Sequence, residues 1–184
     1  MAKKEVFTKD SLISGGVEFI RNFGIEKLNV RDLSKYIGCS TQPIFRNYSN
    51  IEEYKNDLKI ALHNDYEKYI SKYIDKSNYL LTISYAYAMY AKNESNIFKA
   101  LFISSLAGSR TVNEVINSSW NRETIECSMK TFNITMSESE KLYRDVRFYT
   151  HGIATQLCCK SIVLEDAELY ILINDMIERL LGRF

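Results

Sequence analysis

The stretch that most restricts what this chain can become is 29–48, Asn-Val-Arg-Asp-Leu-Ser-Lys-Tyr-Ile-Gly-Cys-Ser-Thr-Gln-Pro-Ile-Phe-Arg-Asn-Tyr. It reads as two short helices joined by a tight turn. Asn29 is suited to cap the first helix, because its side-chain oxygen can accept from the unpaired N–H groups of the opening turn. Asp32, three residues on, supplies a weak version of the reciprocal capping box. Val30, Leu33 and Ile37 fall on one helical stripe, so this helix has a face to bury. Gly38 can adopt the left-handed conformation that ends a helix. Ser40 is placed to cap the second helix, and Pro43 falls in its first turn, where a missing N–H leaves no bond unmade. Ile44 and Tyr48 turn inward at i and i+4, which leaves Thr41, Gln42, Phe45, Arg46 and Asn47 outside. Helix, glycine turn and short polar-faced helix make the unit that enters a DNA major groove. Plain structural hairpins share the spacing.

The rest of the chain is helical as well. One proline and seven glycines in 184 residues leave few breaks, and the fold class expected is all-α. Thr8 caps a first helix whose Leu12, Gly16, Phe19, Ile20 and Phe23 form an apolar stripe, and Gly24 closes it. With Leu33, Ile37, Ile44 and Tyr48 these side chains make one small core. A long helix is expected from Ile51 to about Ile74, then helices at 79–92, 95–107, 112–131, 137–160 and 165–182. Ser137 with Glu140 reads as the capping box of the fourth of these. The domains expected are 1–50, a three-helix helix-turn-helix head, and 51–184, a helical body.

Net charge is +1 and unevenly spread: residues 1–50 carry eight Lys/Arg against five Asp/Glu, the remainder sixteen against eighteen. A mildly basic head on a slightly acidic body suits a DNA-binding end and a non-DNA end. Lys3 and Lys4 could form a basic arm along a phosphate backbone. No stretch approaches the apolar length that crosses a bilayer, no signal peptide is visible, and a cytoplasmic location without membrane partners is expected. Cys39, Cys127, Cys158 and Cys159 lack metal spacing, so no metal or cofactor is expected. Adjacent Cys158 and Cys159 should point to different sides of a helix. Reduced core thiols are the reading, with redox sensing by that pair the alternative.

Residues 8–54 resemble the DNA-binding domain of the tetracycline-repressor family of bacterial regulators. Leu12, Gly16, Phe19-Ile20 and Phe23-Gly24 carry the likeness, followed by Leu28 to Leu33, Gly38-Cys39-Ser40, Ile44 to Tyr48 and Glu52-Glu53. The remainder matches in length and helical pattern. The resemblance implies a ligand-responsive repressor, working as a homodimer on a palindromic operator in double-stranded DNA, with the long helix after residue 50 linking head and body. DNA-binding residues would be Asn29, Arg31, Lys35, Ser40, Thr41, Gln42, Phe45, Arg46 and Asn47. Among them Gln42 can pair bidentately with adenine, and Thr41 can touch a base edge or thymine methyl. Asn29, Arg31 and Arg46 would hold phosphates. Two positions depart from the family: Phe45 stands where a Tyr usually offers its hydroxyl to phosphate, and Ile51 where a Lys commonly does. Arg31, Lys35 and Arg46 then carry more of the grip.

The body is rich in aromatics, and a helical body of this kind can build an apolar cavity with a few polar handles. Tyr85, Tyr90, Phe102, Trp120, Tyr143 and Arg147 are the candidate lining for an unknown small-molecule effector. The last two helices read as a pairing surface. Tyr149, Ile153 and Leu157 lie on one stripe, Gly152 permits close approach, and the final helix, with Ile173 and Ile177, is apolar over more than one face. In the resembled family these two helices form the dimer. For catalysis the chain offers no phosphate-cradling glycine loop and no candidate nucleophile beside His63 or His151, so no enzyme is expected. Two alternatives keep the fold: a regulator answering to a protein partner, and an interaction module that has lost DNA binding.

Overall fold

The computed structural model describes residues 7–182, with the side chain of Trp120 excepted. The basic arm expected at Lys3 and Lys4, and the Trp120 ring expected at an effector site, lie outside the described residues. Within them there are ten α-helices and no strand, as the scarcity of proline led one to expect. They are α1 (Lys9–Phe23), α2 (Val30–Ile37), α3 (Gln42–Asn47), α4 (Ile51–Ile70), α5 (Tyr79–Asn93), α6 (Ser95–Phe102), α7 (Val112–Ile116), α8 (Ser119–Phe132), α9 (Met136–Cys158) and α10 (Asp166–Leu180). The chain divides into two compact units. One holds residues up to Tyr66 with Asn96–Gly108; the other holds Glu67–Ser95 and everything from Ser109 on.

The first unit is built on a core of Leu12, Phe19, Ile20, Leu33, Ile44, Tyr48, Tyr54, Leu58 and Leu62, all buried. Tyr54 of α4 enters that core between α1 and α3. Its hydroxyl donates to the Leu12 carbonyl at 2.9 Å, its ring meets the Tyr48 ring edge-on at 5.2 Å, and burial pushes its phenol pKa well up. A buried phenol with its hydroxyl satisfied is the arrangement that costs least. Gly16 makes room for it. A Cβ at Gly16 would overlap the Tyr54 hydroxyl and touch Leu58. Arg21 of α1 reaches Asp65 of α4 at 3.1 Å, and its carbonyl accepts from Asn96 of α6 at 2.9 Å. Phe23 does not join the core. It is 45% exposed and lies against the rings of Phe19 and Tyr36, at 5.1 and 5.5 Å. As the last residue before Gly24 it sits where the helix runs out.

The second unit is organised around α5, which is buried on nearly every side through Leu80, Leu81, Ala86, Ala88, Met89, Tyr90 and Ala91 and packs on α8, α9 and α10. Its alanines let the neighbouring helices approach. Ser139 of α9 donates to the Ile125 carbonyl of α8 at 2.6 Å. Lys92 at the end of α5 pairs with Asp166 at 2.7 Å and donates to the Leu164 carbonyl at 2.8 Å, which ties it to the start of α10.

Several boundaries differ from those expected. The span 112–131 is two helices, α7 and α8, because Asn117 and Ser118 interrupt it: Asn117 bonds back to Asn113, and Asn121 donates its amide to the Val115 carbonyl at 2.6 Å. Side chains of this type compete with the helical ladder for backbone partners. α4 stops at Ile70, where Ser71 donates to the Lys68 carbonyl and Asp75 caps the next turn. α9 is capped by Thr135 with Glu138, a complete capping box, and not by Ser137 with Glu140.

His151 of α9 lies 2.8 Å from the Tyr87 hydroxyl through Nδ1. Burial lowers its pKa below the ordinary 6.5, and the Arg147 guanidinium lowers it further. The folded state therefore prefers neutral imidazole, while the unfolded chain takes up the proton near the ordinary value. The stability this residue contributes is full above that value and is lost as pH falls below it, since the unfolded state then binds more protons. Melting temperature should drop as pH falls through and below the ordinary imidazole value of about 6.5, and His151→Gln should flatten that part of the curve; an unchanged slope would remove His151 as its source.

Candidate nucleic-acid interface

α2, its turn and α3 are shaped by local signals. Asn29 caps α2, accepting from the Asp32 N–H at 3.0 Å. The reciprocal half of the box is replaced: the Asn29 amide donates to the Asp32 carboxylate at 2.6 Å and to the Lys27 carbonyl at 3.2 Å. A carboxylate one methylene shorter than Glu meets the side chain, not the backbone. Gly38 ends α2 at φ 81°, ψ 28°, in the left-handed region, and the following Cys39 N–H closes onto the Ser34 carbonyl at 2.9 Å. That pairing is the Schellman form of helix end, which only a residue without Cβ adopts at no cost. A second turn then starts at once.

α3 opens differently from the expectation. Ser40 precedes the helix without capping it. Thr41 occupies the cap position in helical conformation, with no capping hydrogen bond from its side chain, and Pro43 falls in the first turn. Proline presets the backbone here, so the helix opens without a side-chain cap. Ile44 and Tyr48 are buried, Lys9 stands 4.6 Å over the Tyr48 ring, and burial raises the Tyr48 phenol to about 12. Fixed by these two anchors, α3 turns Ser40, Thr41, Gln42, Phe45 and Arg46 to solvent, and α2 does the same with Asn29, Arg31 and Lys35. Phe45 is 56% exposed, a large apolar ring among polar neighbours. Asn47 is half-buried and bonds back to the Pro43 carbonyl at 2.8 Å. The side chains of Asn29 and Asn47 are thus engaged in capping, whereas Arg31, Lys35, Thr41, Gln42 and Arg46 project outward.

The residues expected at an effector site enter separate contacts. Tyr143 and Arg147 meet, at 3.3 Å. Tyr90 and Tyr85 belong to a run of rings, Tyr90–Tyr69–Tyr73–Tyr85–Tyr170, with centroids 5.0 to 6.0 Å apart. Phe102 is in the other unit, packed on Phe98 and Tyr66. A cleft of about 570 Å³ lies within the first unit, between the turn at Ile25–Lys27, α4 and the turn at Ser105–Ala107. Ile25, Leu28, Lys55, Lys59, Ser104 and Leu106 line it, and none of the expected residues does.

Of the residues expected to pair, Ile153, Leu157, Ile173 and Ile177 face the interior of their own unit, and Tyr149 is half-buried. Gly152 is exposed, with open space where a Cβ would stand. Outward apolar side chains here include Phe148 on α9, 58% exposed, and Ile171 and Leu172 on α10. Phe148 and Gly152 are spaced i, i+4, so a second stripe was present in the sequence; periodicity alone does not say which of two stripes points inward.

The architecture is that of a helix-turn-helix head fold followed by a helical body. It matches the crystal structure of a tetracycline repressor (TetR) variant from Acinetobacter baumannii AYE in complex with minocycline, with a TM-score of 0.56 and 14% sequence identity, across 96% of this chain and 95% of that one. No protein-family model matches the chain, and neither does any curated protein. The chain has the tetracycline-repressor fold.

Proposed function

We propose that this chain is a DNA-binding transcriptional regulator of the tetracycline-repressor type, a homodimeric repressor that a small molecule releases from a palindromic operator. Residues 1–50 would bind DNA, and 51–184 would bind the effector and pair. The observation that carries the reading is α3. It is a short helix pinned from beneath by Ile44 and Tyr48, it follows a left-handed glycine turn, and it shows Thr41, Gln42 and Arg46 to solvent. Two such helices about 34 Å apart in a dimer can enter successive major grooves. The fold neighbour's complex with minocycline supports an effector of small-molecule class, and the exposed Phe148, Ile171 and Leu172 support pairing through α9 and α10 about Gly152.

The two kinds of contact can be separated by mutation. Arg31→Ala should weaken binding to all duplexes alike and reduce the salt slope by about one, as loss of one phosphate contact does. Gln42→Ala should instead relax preference at one position of each half-site, by about 1–3 kcal/mol for a bidentate contact. Affinities for a panel of single-base operator variants across a salt series report both. A base-selective loss from Arg31→Ala, or unchanged discrimination in Gln42→Ala, would reassign the residue.

A further inference from the structure

α9 ends on two adjacent cysteines. In a regular helix neighbouring side chains diverge by about 100°, yet here the Sγ atoms of Cys158 and Cys159 lie 3.9 Å apart. The helix end brings this about. Cys158 directs its thiol along the axis and donates to the Thr155 carbonyl at 3.3 Å. Cys159 is the C-cap residue, at φ −87°, ψ −3°, past the last full turn. Neither forms a disulfide; Cys158 is buried and Cys159 is exposed. The pair is a dithiol in contact, open to solvent on one side.

Chemistry selects among the things such a pair can do. A disulfide would need the sulfurs to close to about 2.05 Å. Adjacent Cα atoms are 3.80 Å apart, closer than the 4.4–6.8 Å that bridged cysteines occupy, so the bond would be formed against the backbone. A structural zinc site takes four ligands, and no group of three or more metal-ligating side chains stands together among the described residues. A soft centre larger than sulfur that wants two thiolates and no more fits both facts, because it spans the sulfurs with little closure. Soft thiolate donors select soft acceptors.

We propose that Cys158 and Cys159 form a dithiol site for trivalent arsenicals, species that carry two exchangeable positions on arsenic. In the capture of phenylarsine oxide, two As–S bonds replace the bonds between arsenic and oxygen. The oxygen leaves as water with the two thiol protons, and arsenic stays trivalent throughout. No oxidant or reductant is consumed. The site is independent of the reading of α3, so failure of one leaves the other standing.

The test uses the full chain, reduced and then freed of reductant, with phenylarsine oxide as the probe. Intact-mass analysis should show one phenylarsenic group per chain, and reactive thiols counted after denaturation should fall from the four of the sequence by two. The adduct should survive excess glutathione, a monothiol, and be reversed by 2,3-dimercaptopropanol. Cys159→Ser, at an exposed position, should keep the fold and lose the adduct, and Cys158→Ser should lose it too; Cys39→Ser and Cys127→Ser should retain it. No adduct on the wild-type chain, an adduct that glutathione strips, or one that persists in Cys159→Ser would overturn the proposal.

Discussion

Gly16→Ala should destabilise the head by at least about 2 kcal/mol, a large effect for one methyl group. The new Cβ would overlap the Tyr54 hydroxyl and crowd Leu58. Tyr54 cannot simply swing away, because its ring is fully buried against Tyr48 and its hydroxyl bonds to the Leu12 carbonyl. Overpacking of a tight core costs about 1–3 kcal/mol, and displacing the hydroxyl adds the cost of a buried donor left without its acceptor, about 1–3 kcal/mol. Tyr54→Phe alone should cost only the hydrogen bond. In the Tyr54→Phe background, Gly16→Ala should be much milder, since the atom it strikes is gone. Denaturant unfolding of the four chains gives the coupling energy, and additive losses would show that Gly16 and Tyr54 do not press on each other.

The second large effect concerns pairing. Gly152→Leu should cost the single chain little, because Gly152 is exposed and nothing of its own chain stands within reach of a Cβ. If α9 pairs with its symmetry mate about this residue, the leucine forces two backbones apart and enters the interface twice by symmetry. Overpacking at about 1–3 kcal/mol per site would shift the population toward monomer with helix content unchanged. If the heads bind DNA as proposed, affinity should fall with it, because one head would grip only one half-site. Sedimentation at several concentrations, with circular dichroism alongside, reads the outcome. A variant that stays dimeric at micromolar protein places the interface elsewhere. The buried Ile153, Leu157, Ile173 and Ile177 do not offer this test: enlarging them strikes the core of their own unit first.

What was legible in the sequence was local. Asn29, Gly38, Thr8 and the i, i+4 pair Ile44–Tyr48 act within one or two turns, and the structure keeps the two caps, the helix end and the buried pair where they were expected. Where several residues of one type compete within three positions, the signal chose wrongly. Thr135 and not Ser137 caps α9, because either hydroxyl can serve and packing decides between them; Ser40 does not cap α3, which opens on Pro43 without a side-chain cap. Helix ends were the other weak point. Phe23 is exposed and Cys158 meets Cys159 where the regular periodicity stops applying. The tetracycline-repressor resemblance rested on head residues and holds for the fold across nearly the whole chain. Tyr85, Tyr90, Phe102, Tyr143 and Arg147 were chosen by residue type, and only tertiary packing determines which aromatics share a space. Nor did the pattern reveal that α5 is the central helix of its unit: a run of small and aromatic residues buried all round has no polar face to mark its neighbours.

The central claim is that α3 reads DNA. Genomic fragments retained by the purified protein would be sequenced, a duplex bearing the common site prepared, and its affinity measured from low to moderate salt beside a scrambled duplex. The account predicts a two-fold symmetric site, preference for it over the scrambled duplex, and a logarithm of affinity that falls linearly with the logarithm of salt as phosphate contacts release counterions. Retention of no common sequence, with no salt-dependent binding to either duplex, would contradict it.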